Sequence, residues 1–327
     1  MFTKKWDPAG LHVYITGGST GLGLAVAILM VQRGAHVSIV ARNQARLDDA
    51  LVELEKHRRN SAQKLKAYSY VLDTASASTE ALTTACKAHE DRAPDAIIAC
   101  AGASTPKFFV EMSEQDLSQG MVNTYWVQAW TAWAGARMMV RQGVKGKIVL
   151  VSSTLGFLSF VGYASYAPGK QALRALGDTL QSELMLYEID VHTFFPPTMV
   201  TNGYLEENKT KPAITADIEG IDAGLSTEES ALVLLKGLSL LDCATVTRLK
   251  TWIGIQNKEL HIAGDILTNL LRSSTRGAAP RNNFILDMLY DAISWVGMPI
   301  WRTGVDRKVK AHRKEHKDYL QSRGFFD

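Results

Sequence analysis

The sequence predicts an α/β fold: a doubly wound parallel sheet with helices on both faces, followed by a C-terminal helical extension. Three observations carry this expectation. Short, apolar, β-rich runs alternate with longer runs of helical period through the first two hundred residues. A glycine-rich turn, Thr16-Gly17-Gly18-Ser19-Thr20-Gly21-Leu22-Gly23, joins the first strand to the first helix. The strand–helix rhythm then breaks beyond Thr245, which sets the last part of the chain apart.

Residues 11–16 (LHVYIT) read as the first strand, and 21–33 as a buried helix that Gly34 ends. A second strand spans 35–40. Residues 44–58 are helical, with Leu47, Leu51 and Leu54 on one face. A third strand covers 65–72 and is followed by Asp73; 78–92 is helical, and Pro94 precedes a strand at 96–99. A long helix is expected over 114–142, a strand at 148–151, a helix at about 164–187, and a strand at 191–195 that stops at Pro196-Pro197. Residues 198–225 read as a long, polar, irregular segment, a length usually reserved for function, and 226–241 as a helix. Further helices are expected at 261–271 and 284–298. In the second, Ile285, Met288, Leu289, Ile293 and Val296 share one face and Asp287 and Asp291 another. That pattern suits packing on the core or a neighbouring subunit, and equally an apolar face laid into a membrane interface. The domain reading is a nucleotide-binding and catalytic domain over 1–244, including a substrate loop at 198–225, and a basic helical extension over 245–327.

Composition narrows the function. With 46% hydrophobic and 21% charged residues in a chain of 327, intrinsic disorder is excluded. A net charge of +3 is too small to make nucleic acid the expected partner. Cys86, Cys100 and Cys243 share no close spacing, which excludes a disulfide framework and a cysteine-based zinc site and suits a reducing compartment. No metal is expected. Residues 301–327 hold eight Lys/Arg against four Asp/Glu, a basic tail that is either a solvated terminus or a surface for anionic lipid. The N-terminus lacks the apolar region of a signal peptide, and no run of about 18 apolar residues suggests a spanning helix.

The glycine turn has a chemical reading. A diphosphate must approach backbone N–H groups closely, a Cβ would obstruct it, and the helix N-terminus adds partial positive charge. Gly17, Ser19, Thr20, Gly21, Leu22 and Gly23 are therefore candidate cofactor contacts, with Gly23 also allowing tight helix–strand packing. After the second strand the sequence reads Val40-Ala41-Arg42-Asn43. No acid is present to bind a ribose 2′-hydroxyl, while Arg42, assisted by Ser19 and Arg46, suits a 2′-phosphate, and Asn43 is a further candidate cofactor contact. This favours NADPH.

A second constellation lies downstream. Tyr166 and Lys170 stand four apart and share a face at helical spacing. A free phenol titrates near about 10, and a neighbouring ammonium is expected to lower that value. Ser153 ends a strand thirteen residues before Tyr166, and Asn123 sits inside the preceding long helix, where Asn is mildly unfavourable and wants a reason. Pro168 is tolerated in a first helical turn, so the helix is expected to begin near Tyr166.

The Thr-Gly-x3-Gly-x-Gly turn, Asn123, Ser153, Tyr166 and Lys170, in this order, resemble the short-chain dehydrogenase/reductase family. The resemblance implies a Rossmann-type sheet. It implies Tyr166 as general acid, Ser153 holding the substrate carbonyl, Lys170 tuning Tyr166 and orienting the nicotinamide ribose, and Asn123 in a proton relay. It also implies Asp73 near the adenine, where its other reading is a helix N-cap, Ala101-Gly102 against the cofactor, and Met199 and Thr201 at the nicotinamide amide. Ala99-Cys100-Ala101-Gly102 departs from the family's Asn-Asn-Ala-Gly, and Pro196-Pro197 from its Pro-Gly. The double proline, the Ala41-Arg42-Asn43 segment and the stretch GYLEENKTKP resemble, within the family, the 3-ketodihydrosphingosine reductases. That resemblance implies NADPH-dependent reduction of 3-ketodihydrosphingosine to dihydrosphingosine, in sphingolipid biosynthesis, at the cytosolic face of the endoplasmic reticulum membrane. Membrane contact would rest on the 260–300 helices and the basic tail. A homodimer or homotetramer is implied, paired through the helices around 114–142 and 164–187. The C18 keto-amine needs an apolar slot, expected under loop 198–225 and helix 226–241. Trp126, Trp130 and Trp133 read as core or subunit-contact aromatics rather than substrate wall. The alternatives are reduction of another lipid carbonyl, steroid or retinoid, and a non-catalytic NADPH-binding scaffold, against which the intact Tyr–Lys pair argues.

Overall fold

Strands buried on both faces must be covered by helices, and the apolar runs of this chain are covered in that way. A computed structural model describes residues 6–220, 224–236 and 259–326. Its sheet holds seven strands: β1 His12–Thr16, β2 His36–Ala41, β3 Leu65–Ser69, β4 Ala96–Ala99, β5 Lys147–Val151, β6 Asp190–Phe195 and β7 His261–Ala263. They lie in the order β3-β2-β1-β4-β5-β6-β7, every neighbouring pair parallel. The order reverses between β1 and β4, which opens a crevice at the carboxyl ends of the strands.

The helices follow from their sequences. Helix α1 (Gly21–Gln32) is apolar nearly all round and is buried on one face of the sheet, beside α9 (Thr227–Lys236), whose Leu234 and Leu235 join the same core. Helix α2 (Gln44–Lys56) begins where the Asn43 side chain accepts the Arg46 N–H, and buries Leu47, Ala50 and Leu54. Helix α3 (Ala75–Lys87) is capped by Thr74. On the opposite face of the sheet from α1 it packs with α5 (Val127–Gln142) and α6 (Ala167–Leu184).

The long helix expected over 114–142 is continuous but not uniform. Helix α4 (Glu114–Met121) starts with a capping box of Ser113 and Asp116 and passes into α5 through a π-turn at Val122–Trp126. Gly143, at φ +66°, ends it.

The structure departs from the sequence expectation in three places. The 198–225 segment is not irregular: it holds α7 (Asn202–Glu207), capped by Thr201, and α8 (Ala213–Glu219). Residues 261–271 are not one helix. His261–Ala263 pair with β6 as the seventh strand, and α10 (Ile266–Ser274) follows, capped by Asp265. Three residues are too short to show a period, so only the hydrogen bonds to β6 reveal the strand. Helix α11 (Phe284–Ala311) continues through Pro299, well past the expected end, and α12 (Arg313–Ser322) makes the basic tail helical. The 244/245 boundary, the end of the 226–241 helix and Cys243 lie outside the described residues, but residues 261–263 are part of the main sheet. No helix among the described residues is long and apolar enough to cross a membrane.

Candidate active site

The crevice at the strand ends opens into one cavity of about 1040 Å³. The glycine turn lines it. Gly17 adopts φ +67°, and a Cβ there would stand 2.9 Å from the Ala101 backbone; a Cβ on Gly23 would stand 2.3 Å from the Gly17 carbonyl oxygen. The turn thus lies closely against the Ala101–Gly102 loop and the start of α1. Thr20 caps α1 without a side-chain bond to its first-turn amides, which leaves those amides to a ligand. Exposed Arg42, Asn43 and Arg46 stand at the end of β2 on the same cavity, with Ser19. Asp73 lines it too, and Thr74 rather than Asp73 caps α3. The Asn43 side chain is committed to its capping bond with the Arg46 N–H.

The middle of the cavity holds the Tyr–Lys pair. Tyr166 is the N-cap of α6, with Pro168 in the first turn, so the helix begins where the sequence placed it. Lys170 lies one turn on, 4% exposed, its Nζ donating to the Val151 carbonyl at 2.9 Å and 5.5 Å from the Tyr166 ring centre. Burial pushes the Lys170 amine down to about 8. Tyr166 is pushed up, by burial first and then by the Glu207 carboxylate, against a hydrogen bond with Ser153 that lowers it. Burial therefore outweighs the lowering expected from Lys170 in the free protein. Ser153 follows β5 at the start of a short turn, Thr154–Gly156, and its Oγ also accepts the Leu155 N–H.

Asn123 sits in the π-turn. A π-turn releases a backbone carbonyl from the regular ladder, and here the Asn123 carbonyl accepts the Ala103 N–H at 3.2 Å, bracing the loop after β4. Met199 and Thr201 line the same space, and the Thr201 side chain caps α7. All the residues nominated from the sequence thus meet on one cavity.

The far end is apolar: Leu158, Phe160, Leu205, Leu270, Ile293 and Met298 line it, so the C-terminal helices α10 and α11 form its wall. This corrects the expected cover. Helices α7 and α8 do flank the cavity, but the described part of the 226–241 helix packs on α1 in the core instead. Trp126, at the end of the π-turn, and Trp133, on α5, are substantially exposed and do not line the cavity.

Residues 11–212 match the sequence pattern of the short chain dehydrogenases. The chain belongs to that family. A 3-ketodihydrosphingosine reductase of Cryptococcus neoformans is 40% identical over 323 residues, covering 99% of this chain and 91% of the relative. A 3-ketodihydrosphingosine reductase of Mus musculus is 34% identical over 228 residues, covering 69% of this chain and 68% of its own. A short-chain dehydrogenase/reductase structure from Mycobacterium ulcerans superposes with a TM-score of 0.64 at 21% identity, covering 79% of this chain and 90% of that one, and shows the shared fold. As a short-chain dehydrogenase the chain is an oxidoreductase of nicotinamide chemistry, and its glycine turn and open first-turn amides fit a dinucleotide.

Several residues of this short-chain dehydrogenase site escaped sequence reasoning. Gln128 is fully buried, donates to the Ala101 and Val151 carbonyls and accepts the Val151 N–H, clamping the β4 loop to the end of β5. An amide among the apolar residues of α5 was its only signal. Tyr163, Glu207 and Glu219 also border the cavity beside Tyr166; nothing local in the sequence joins them.

Proposed function

We propose that this chain reduces the 3-keto group of 3-ketodihydrosphingosine to dihydrosphingosine with NADPH. One observation carries the reading: a single cavity connects a dinucleotide cradle, the Ser153–Tyr166–Lys170 cluster and a long apolar slot. The relatives named for this reaction support the substrate. In this reading the first-turn amides of α1 hold the diphosphate, and Arg42, Arg46 and Ser19 hold a 2′-phosphate. Met199 and Thr201 face the nicotinamide amide. When bound, the cofactor supplies the hydride that the ketone carbon receives. Tyr166 Oη delivers a proton to the ketone oxygen as charge develops there. A neutral phenol suits that direction, and the upward pull on Tyr166 keeps its proton in place. Ser153 Oγ donates to the same oxygen. Lys170 orients the ribose and Tyr166, and Asn123 serves the return of a proton from solvent.

The site is expected to work at the cytosolic face of the endoplasmic reticulum membrane. Helix α11 exposes Phe284, Ile285, Met288, Leu289, Trp295 and Val296, while its Ile293 and Met298 line the slot. The slot therefore lies beside an apolar surface that suits an acyl chain arriving from lipid. The exposed Trp126 and Trp133 suit the expected pairing of subunits.

The test is NADPH oxidation with 3-ketodihydrosphingosine in detergent, beside retinal and keto-steroids. Turnover of the sphingoid ketone, lost in Tyr166→Phe with nucleotide binding kept, is expected. Turnover of only the other carbonyls would overturn the substrate, and an active Tyr166→Phe the mechanism. Flotation with phosphatidylserine vesicles, reduced in a Trp295→Glu/Val296→Glu variant, is expected of the membrane contact; unchanged flotation overturns it.

A further inference from the structure

Beside Tyr166 stands a group of side chains that the reduction itself does not use. Tyr163 is 2% exposed, its ring centre 5.8 Å from that of Tyr166. Its hydroxyl lies between two carboxylates, 2.6 Å from Glu207 Oε1 and in hydrogen-bond contact with Glu219 Oε1. Lys211, its side chain 3% exposed, stands 2.7 Å from Glu219 Oε2 and 3.1 Å from Glu207 Oε1. Tyr163, Glu207 and Glu219 line the cavity, and Lys211 does not.

The donors and charges here do not balance. Tyr163 has one hydroxyl proton for two carboxylate oxygens, and burial with both carboxylates holds its phenol firmly neutral. Two carboxylates face a single ammonium, which leaves one negative charge on the cavity wall. Lys211 sits closer to Glu219, so Glu207 is the less satisfied partner, and among the described residues its Oε2 accepts no hydrogen bond. The Glu207 side chain is 17% exposed on the cavity, so a cation entering there can reach it. Glu207 is also near enough to act on the Tyr166 phenol.

We propose that Glu207, with Glu219 and Tyr163 behind it, is the acceptor for the ammonium group of a 2-amino-3-keto lipid and selects amino-ketones over plain ketones. The inference rests on the proposed function, which supplies the amino-ketone. The geometry suits that substrate because its ammonium is one carbon from the ketone. An ammonium on Glu207 places the ketone oxygen toward Tyr166 and the alkyl chain toward the slot. The added positive charge completes the balance that Lys211 leaves open. It also offsets the pull of Glu207 on Tyr166.

The test compares three substrates on the full-length protein with NADPH: 3-ketodihydrosphingosine, its N-acetyl derivative and the chain-matched ketone lacking the amine. The wild type is expected to prefer the free amine by about tenfold or more in kcat/KM, mainly through KM. In Glu207→Gln that ratio is expected to collapse toward one. Equal use of all three substrates by the wild type overturns the amine site while leaving the proposed function standing, and needs no variant to fold. A Glu207→Gln that slows all three by one factor assigns the residue a structural role and also overturns it. A wild type that oxidises NADPH with the amine-free ketone alone overturns the proposed function and this inference together.

Discussion

Lys170→Met is expected to stabilise the nucleotide-free protein while abolishing turnover. The ammonium of Lys170 is buried, and burial takes it from an ordinary 10.5 to about 8, which corresponds to about 3 kcal/mol of opposition to folding wherever the amine is charged in both states. Methionine keeps much of the shape without the charge. The hydrogen bond lost is to the Val151 carbonyl, worth about 1 kcal/mol, and that carbonyl keeps the Gln128 Nε2 donor at 2.9 Å. The net expectation near pH 7 is a gain of about 2 kcal/mol, a rise of a few degrees in Tm. The pH dependence gives the sharper check. Between about 8 and 10.5 the unfolded lysine holds its proton and the folded one has lost it, so wild-type stability rises with pH across that window. The difference between wild type and variant must therefore shrink from pH 7 to pH 10. Urea unfolding of both proteins at a series of pH values measures it. A variant less stable than wild type at pH 7, or a difference that stays constant to pH 10, would show that the buried ammonium does not oppose folding. A confirmed gain would show a catalytic group held against the preference of the fold.

Other expectations concern the turn, the cofactor and the acid limit. Gly23→Ala places a Cβ 2.3 Å from the Gly17 carbonyl oxygen, a backbone atom with little room to yield. Nucleotide affinity by fluorescence titration should fall sharply, with about 1–3 kcal/mol of stability lost in urea; unchanged affinity would contradict the close approach. Arg42→Glu should lower the NADPH-to-NADH preference by about tenfold or more in steady-state kinetics, and an unaltered preference would remove Arg42 from the 2′-phosphate. His12 and His89 stack with ring centres 3.6 Å apart, and burial, first among the causes, lowers them to about 2 and about 4. Both are neutral in the fold, so stability is fully present above the unfolded value of about 6.5 and lost as pH falls, through about 4 for His89 and further for His12. The urea midpoint should drop from pH 7 to pH 5, whereas a flat profile would show that the pair is not held neutral.

Much of the architecture was legible because it is written locally. The Tyr166–Lys170 pair needs only one helical turn, and the start of α6 follows from Pro168. The glycine turn needs only its own φ angles and its place between strand and helix. Asn123 was visible as an oddity in a helix, but its π-turn was not, because one extra residue in a ladder leaves no compositional mark. The three residues of β7 carry no period, and α7 and α8 are too short and polar to stand out from a loop.

The order of the first six strands with their intervening helices, the glycine turn and the positions of Asn123, Ser153, Tyr166 and Lys170 are legible in the sequence alone. These depend on hydrophobic period, capping and short spacings, which act between near neighbours. Only the tertiary structure decided that α10 and α11, not the helix at 227–236, wall the slot. Only it brought Glu207 and Glu219 to Tyr163 across 44 and 56 positions of chain. Contacts of that kind arise when whole elements pack, and no local propensity encodes which distant side chains will then share a buried charge.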